Sequence, residues 1–144
     1  MKILITGALG HIGSSLSRSL AKEKKIKIIY LLDNLTTMRY CSLFSLPQNV
    51  KYKFLNLDLK SCKINEIPKA DYTIHLAAKT DAAQSSKYED EFYSNNLEAT
   101  KKIISYCKKN SSKIIFASST SIYGPQSELV DENCDKSELK PQTP

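Results

Sequence analysis

The chain has 144 residues, 41% of them hydrophobic and 25% charged, which fits a single globular domain able to bury an ordinary core. Its formal net charge of +6 comes almost wholly from lysine, the only arginines being Arg18 and Arg39. The basic residues are scattered and not interleaved with aromatics, which reads as a solvated basic surface and not as a nucleic-acid interface. No run approaches the roughly 18 apolar residues of a membrane helix. Cys41, Cys62, Cys107 and Cys134 form no Cys-x-x-Cys pair, so zinc-ligand spacing is absent and no metal is expected. The first residues run straight into a strand-like segment with no signal-peptide pattern. Reduced thiols and a cytoplasmic location are therefore expected.

In chain order, Lys2–Thr6 is a short apolar strand. Ile12, Leu16 and Leu20 then recur at four-residue spacing and predict a helix over Gly10–Lys22. Lys27–Asp33 is an apolar run ending in an acid, the pattern of a buried parallel strand. A polar, irregular stretch follows over Asn34–Pro47. Val50–Leu55 predicts a third strand, Ser61–Ile67 a short helix, and Tyr72–Ala77 a fourth strand. Lys79–Lys87 reads as a loop. Glu89–Asn110 predicts a long helix carrying Phe92, Leu97, Ile103, Ile104 and Tyr106, and Lys113–Ser118 a fifth strand. The remainder is polar and loop-like. Strands alternating with helices give βαβ units, hence an α/β, Rossmann-like, doubly wound parallel sheet with expected strand order 3-2-1-4-5.

The chemistry is concentrated at its few glycines. Gly7, Gly10 and Gly13 fall in a Gly-x-x-Gly-x-x-Gly run between the first strand and the first helix, and Gly124 closes the run Ser118–Gly124. A helix N-terminus offers free N–H groups and a positive dipole end to a pyrophosphate. In such a loop Gly7 makes the tight turn, Gly10 lets backbone reach the phosphate, and Gly13 permits close packing of the helix. Asp33 ends the second strand 20 residues after Gly13, where a carboxylate binds a ribose diol and repels a 2′-phosphate. NAD is therefore expected over NADP. His11 is expected to matter through its backbone alone, and His75 to be a core or strand-end residue.

Taken together, Thr6-Gly7-x-x-Gly10-x-Ile12-Gly13, Asp33-Asn34-Leu35, Asp58-Leu59, His75-Leu76-Ala77-Ala78 and Ser119-x-x-x-Tyr123-Gly124 resemble the extended short-chain dehydrogenase/reductase family of NAD-dependent epimerases and dehydratases, of the UDP-glucose 4-epimerase type. The resemblance covers essentially the whole chain. It implies that the backbones of His11 and Ile12 meet the pyrophosphate together with Gly7, Gly10 and Gly13. Asp33 would hold the adenosine ribose with Asn34 beside it, and Asp58 and Leu59 would face the adenine. Leu76, Ala77 and Ala78 would line the nicotinamide-ribose side. Asn96 matches a family asparagine near the active site, and Ala99 stands where the family usually has glycine. Ser119 matches the catalytic serine or threonine that hydrogen-bonds the substrate hydroxyl being oxidised. Thr80 and Ser121 would lie on the nucleotide-sugar side.

Two departures narrow the expected chemistry. Family 4,6-dehydratases carry an acidic pair where Thr120 and Ser121 stand, and family decarboxylases a glutamate in place of Ser121, which favours a 4-epimerase or a simple dehydrogenase. The family's base is a tyrosine followed four residues later by lysine, and none of the 8 tyrosines has that neighbour. Pro141-Gln142-Thr143-Pro144 resembles the stretch leading into that tyrosine. The expectation is thus an NAD-binding domain over residues 1–144 that stops short of the catalytic tyrosine and the substrate domain, inactive alone, from a homodimeric parent. The alternatives are a non-catalytic NAD-binding module or a same-fold nucleotide-sugar dehydrogenase or reductase.

Overall fold

The computed structural model describes residues 1–80, 89–125 and 130–140. Among the described residues are five strands and two α-helices, in the order β1 (Lys2–Thr6), α1 (His11–Leu20), β2 (Ile28–Asp33), β3 (Lys51–Asn56), β4 (Tyr72–His75), α2 (Glu89–Asn110) and β5 (Lys113–Phe116). All four strand pairings are parallel, and the spatial order is β3-β2-β1-β4-β5. The order turns back on itself beside β1, so the carboxyl ends of β1, β2 and β4 open on one crevice, the place where such sheets bind ligands.

Alternation along the strands builds two cores. Ile3 and Ile5 of β1 with Ile29 and Leu31 of β2 face one side, where Leu16 and Leu20 of α1 pack. Leu4, Tyr30 and Leu32 face the other, against Ala99, Ile103 and Tyr106 of α2. Both faces of the central strands are covered, which explains why their sequences are continuously apolar instead of alternating. Tyr106 is fully buried. Its hydroxyl donates to the Pro68 carbonyl at 2.7 Å and accepts the Ala70 N–H at 3.0 Å. That pins the segment before β4 onto α2, and burial pushes the phenol pKa up to about 12.

Several expected boundaries move. The predicted helix over Ser61–Ile67 is only a 3-10 turn at Ile64–Glu66. β4 and β5 stop at His75 and Phe116, two residues short of expectation, because the chain leaves the sheet to form the crevice walls. Ile12 does not belong to the inner face of α1, being 68% exposed; the inner face is Gly13, Leu16, Ser17 and Leu20. The irregular stretch after β2 holds a 3-10 turn at Tyr40–Leu43. It is tied to α1 by Arg18, whose guanidinium donates to the carbonyls of Ser14, Ser42 and Phe44. Most of the loop expected over Lys79–Lys87, and the last four residues, lie outside the described residues.

Candidate functional site

The glycine loop connects β1 to α1 at the centre of the crevice. Gly7 has φ +64°, and a Cβ there would stand 2.8 Å from the Ala77 N and 2.9 Å from the Leu76 carbonyl carbon. Only glycine permits both the turn and this closeness to the end of β4. A Cβ at Gly13 would meet the Gly7 oxygen at 2.5 Å and the Ala8 Cα at 2.8 Å. The third glycine thus lets α1 pack on the loop itself. Gly10 differs: a Cβ would meet only the Gly7 oxygen, at 3.3 Å. The space beside it is open to a ligand.

Gly10 caps α1 in extended conformation without a side-chain bond, and no acidic residue stands in the first turn. The first intrahelical bond from the loop is Ser14 N–H to the Gly10 carbonyl at 2.9 Å. The N–H groups of His11, Ile12 and Gly13 therefore have no described acceptor, and the dipole end is uncompensated. The side chains of His11 and Ile12 turn outward, lining a groove with Ser15, Leu16 and Ser19. Backbone, not side chain, is what these two residues offer the crevice.

Asp33 stands at the end of β2. One carboxylate oxygen accepts the Leu9 N–H at 3.0 Å and the other the Leu35 N–H at 2.9 Å. The acid thus does something its sequence position does not reveal: it ties the glycine loop to β2. Two carboxylate oxygens offer about four acceptor positions, so acceptor capacity remains for a diol. Beside it, the Asn34 amide oxygen accepts from Thr36 N–H and hydroxyl, which turns its Nδ2 toward Asp58 Oδ2 at 3.3 Å. Asp58 is exposed near the end of β3 and also accepts the Lys60 N–H at 2.8 Å. The Leu59 side chain is 4% exposed and belongs to the core under α2. Only its backbone is left to face a base.

After β4, Leu76 and Ala77 are half-buried and Ala78 and Thr80 exposed. Both the Leu76 and Ala77 N–H groups donate to Thr6 Oγ1 at 3.2 Å. The Asn96 side chain clasps Lys79 from α2. Its oxygen accepts the Lys79 N–H at 2.8 Å and its Nδ2 donates to the Lys79 carbonyl at 3.0 Å. The Lys79 ammonium pairs with Glu91 and lies 5.7 Å from the centre of the Phe92 ring. Ala99, where the family usually has glycine, is buried in the core under α2.

Ser119 is exposed beyond β5 and caps the 3-10 turn Thr120–Ile122 by accepting the Ser121 N–H at 3.1 Å. Its hydroxyl hydrogen is not used by any described acceptor, so it is free to donate. Ser121 is half-buried in the same turn. Gly124 has φ +63°, and a Cβ there would lie 1.8 Å from the Lys140 carbonyl oxygen. The glycine thus lets the backbone at Lys140 lie directly against the end of the serine turn. No group of three or more His, Cys, Asp or Glu able to hold a metal is present among the described residues, and no described helix is long and apolar enough to cross a membrane.

Residues 3–144 match the model of the NAD dependent epimerase/dehydratase family. The chain belongs to that family. It is 30% identical to an uncharacterised UDP-glucose epimerase of Bacillus subtilis over 98% of this chain and 47% of that protein. It is 36% identical to the dTDP-D-glucose 4,6-dehydratase of Dictyostelium discoideum over 93% of this chain and 32% of that one. Among solved structures, the UDP-glucuronic acid 4-epimerase of Bacillus cereus, in complex with UDP-glucuronic acid and NAD, superposes with TM-score 0.83 at 28% identity, covering 99% of this chain and 47% of that one. The chain thus spans less than half the length of these three relatives.

Proposed function

We propose that residues 1–144 are the NAD-holding domain of a nucleotide-sugar 4-epimerase. The observation that carries this reading is the set of three unpaired N–H groups of His11, Ile12 and Gly13 above an open Gly10, with Asp33 on the adjoining strand end. A pyrophosphate fits those donors and the helix dipole, and a ribose diol fits the spare acceptors of Asp33. Asp58 and the Leu59 backbone take the adenine side, with Asn34 holding Asp58 in place. Leu76, Ala77 and Ala78 form the wall toward the nicotinamide ribose. The carboxylate of Asp33 disfavours a 2′-phosphate, hence NAD over NADP.

NAD, when bound, supplies a hydride acceptor and donor. Ser119 holds the sugar hydroxyl that loses its hydrogen, and Thr80 and Ser121 contact the nucleotide sugar. Thr120 and Ser121 supply no carboxylate for elimination of water, which favours epimerisation over dehydration. The Bacillus relatives with epimerase names support the same side, whereas the Dictyostelium dehydratase is the counterweight. A cytoplasmic location and a homodimeric whole protein belong to this reading.

The alternative reading is a module that binds NAD and turns nothing over. Titration calorimetry of the chain with NAD and NADP tests the shared part. Binding of NAD in preference to NADP is expected. Asp33→Ala should weaken NAD binding by about tenfold or more, as for a lost charged hydrogen-bond partner. Unchanged affinity would remove the ribose role. In the whole protein of this reading, reduction of bound NAD on adding a UDP-sugar separates the enzyme from the module.

A further inference from the structure

The glycine loop and the segment after β4 are joined by a chain of buried and part-buried hydrogen bonds that one tautomer of His75 satisfies throughout. Thr100 Oγ1 donates its one hydrogen to the Asn96 carbonyl at 2.7 Å. It must therefore accept from His75 Nε2, 3.1 Å away. A neutral imidazole that donates at Nε2 accepts at Nδ1, so Thr6 Oγ1, at 2.7 Å, donates to it. Thr6 Oγ1 in turn accepts the Ala77 N–H at 3.2 Å and shares the Leu76 N–H, 3.2 Å away, with the Thr6 carbonyl, which accepts it at 3.1 Å. Asn96, at the far end, clasps the Lys79 backbone. His75 itself is 2% exposed and lies against the Phe116 ring, centroids 5.8 Å apart.

We propose that His75 is a positioning residue of the cofactor site, setting the spacing between the glycine loop and residues 76–80 through Thr6 on one side and Thr100 and Asn96 on the other. Thr6 immediately precedes Gly7, whose approach to the Ala77 N leaves no room for a Cβ. A shift at Thr6 therefore moves the phosphate-binding backbone and the nicotinamide-side wall relative to each other. The groups facing His75 from β1, β5 and α2 are Thr6, Phe116 and Thr100, all uncharged. Burial alone holds its pKa down to about 4, so the tautomer is maintained across the neutral range. This role rests on the NAD site proposed above.

The test compares His75→Leu, which removes both bonds, with His75→Asn, whose amide oxygen can replace the Nδ1 acceptor for Thr6. Two readouts are taken on the whole chain: amide hydrogen exchange at Ala77 and Lys79, and NAD affinity by calorimetry. In His75→Leu, exchange at these two amides should rise while the Ile3–Ile5 amides stay protected. NAD affinity should fall about tenfold, as for one or two net hydrogen bonds. His75→Asn should recover most of both. Folded His75→Leu with unchanged exchange and NAD affinity within about twofold of wild type, less than one net hydrogen bond, overturns the proposal. If His75→Leu does not fold, Thr100→Val decides by the same two measurements, since it breaks only the side toward Asn96. Wild type that fails to bind NAD removes the cofactor reading, while the exchange data still decide the positioning.

Discussion

Thr6 Oγ1 and His75 Nδ1 stand 2.7 Å apart on residues directly opposed in the β1–β4 register, and their bond exists only while Nδ1 carries no proton. Burial opposes the charged form of the ring.

A pH dependence of stability follows. The native pKa of His75 is about 4, below the ordinary 6.5. Between those values the unfolded chain binds a proton that the native chain does not. The contribution is therefore complete above about pH 6.5, declines as pH falls toward 4, and amounts to up to about 3 kcal/mol. His75→Asn should lack this part of the dependence. Urea melts of both proteins at about pH 7.5 and about pH 4.5 measure it; equal losses in the two would show that His75 does not titrate this way.

The glycines of the loop separate folding from binding. Gly13→Ala places a methyl 2.5 Å from the Gly7 oxygen, against backbone on both sides. It should destabilise by about 2 kcal/mol or more, as overpacking does. Gly10→Ala meets one atom at 3.3 Å. It should keep the fold within about 1 kcal/mol yet weaken NAD binding, because the methyl enters the open space before the helix. Thermal melts and NAD titration of both variants check the pair. Equal NAD affinity in Gly10→Ala and wild type would mean that the pyrophosphate does not sit there.

The strand order and the long helix were legible because buried parallel strands read as apolar runs, and because α2 closes on Lys108 and Lys109, cations that suit a helix C-terminus. The glycine spacing and Asp33 were legible because the residue types are demanded by the backbone. What the sequence hid was mostly connection. Asp33 reaches back to the Leu9 N–H, and Asn96 reaches Lys79 across 17 positions, contacts that no local pattern encodes. His75 read correctly as a buried strand-end residue, but its partner Thr6 is visible only once β1 and β4 are set in register. Ile12 shares the four-residue spacing of Leu16 and Leu20 but stands in the first turn, where its side chain lines the open groove beside Leu16 and not the core. For Leu59 the motif names the residue, while alternation with exposed Asp58 is what places its side chain inside.

The C-terminus of α2 contains a removable strain. Ser111 has φ +52°, and the Ser112 N–H bonds the Cys107 carbonyl at 3.0 Å, the 6→1 bond of a Schellman turn with Ser111 at the left-handed position. A Cβ in that conformation costs about 1 kcal/mol, partly offset by the greater unfolded freedom of glycine. Ser111→Gly should raise stability by about 0.5 kcal/mol, without effect on NAD affinity. Denaturant midpoints at constant slope measure it. A lower midpoint would show that the Ser112–Thr73 hydroxyl bond behind the turn depends on serine at 111.

β5 gives the last prediction. Among the described residues it pairs only with β4, leaving the backbone groups of its other edge without a strand partner. The residues on it are apolar and open, Ile115 being 54% and Phe116 55% exposed. An apolar, unpaired edge is a template for association between chains. This chain should therefore self-associate as its concentration rises, with the association seated on that edge. Ile115→Lys places a charge on the strand where it must be desolvated for a second chain to dock. Because the side chain is already half in water, the cost to the monomer should stay near 0.5 kcal/mol. Sedimentation velocity over a concentration series is the measurement. A shift of Ile115→Lys toward monomer at unchanged melting temperature locates the contact on β5, whereas identical sedimentation of variant and wild type moves it elsewhere, the exposed Tyr93 and Ile104 of α2 being the next surface to charge.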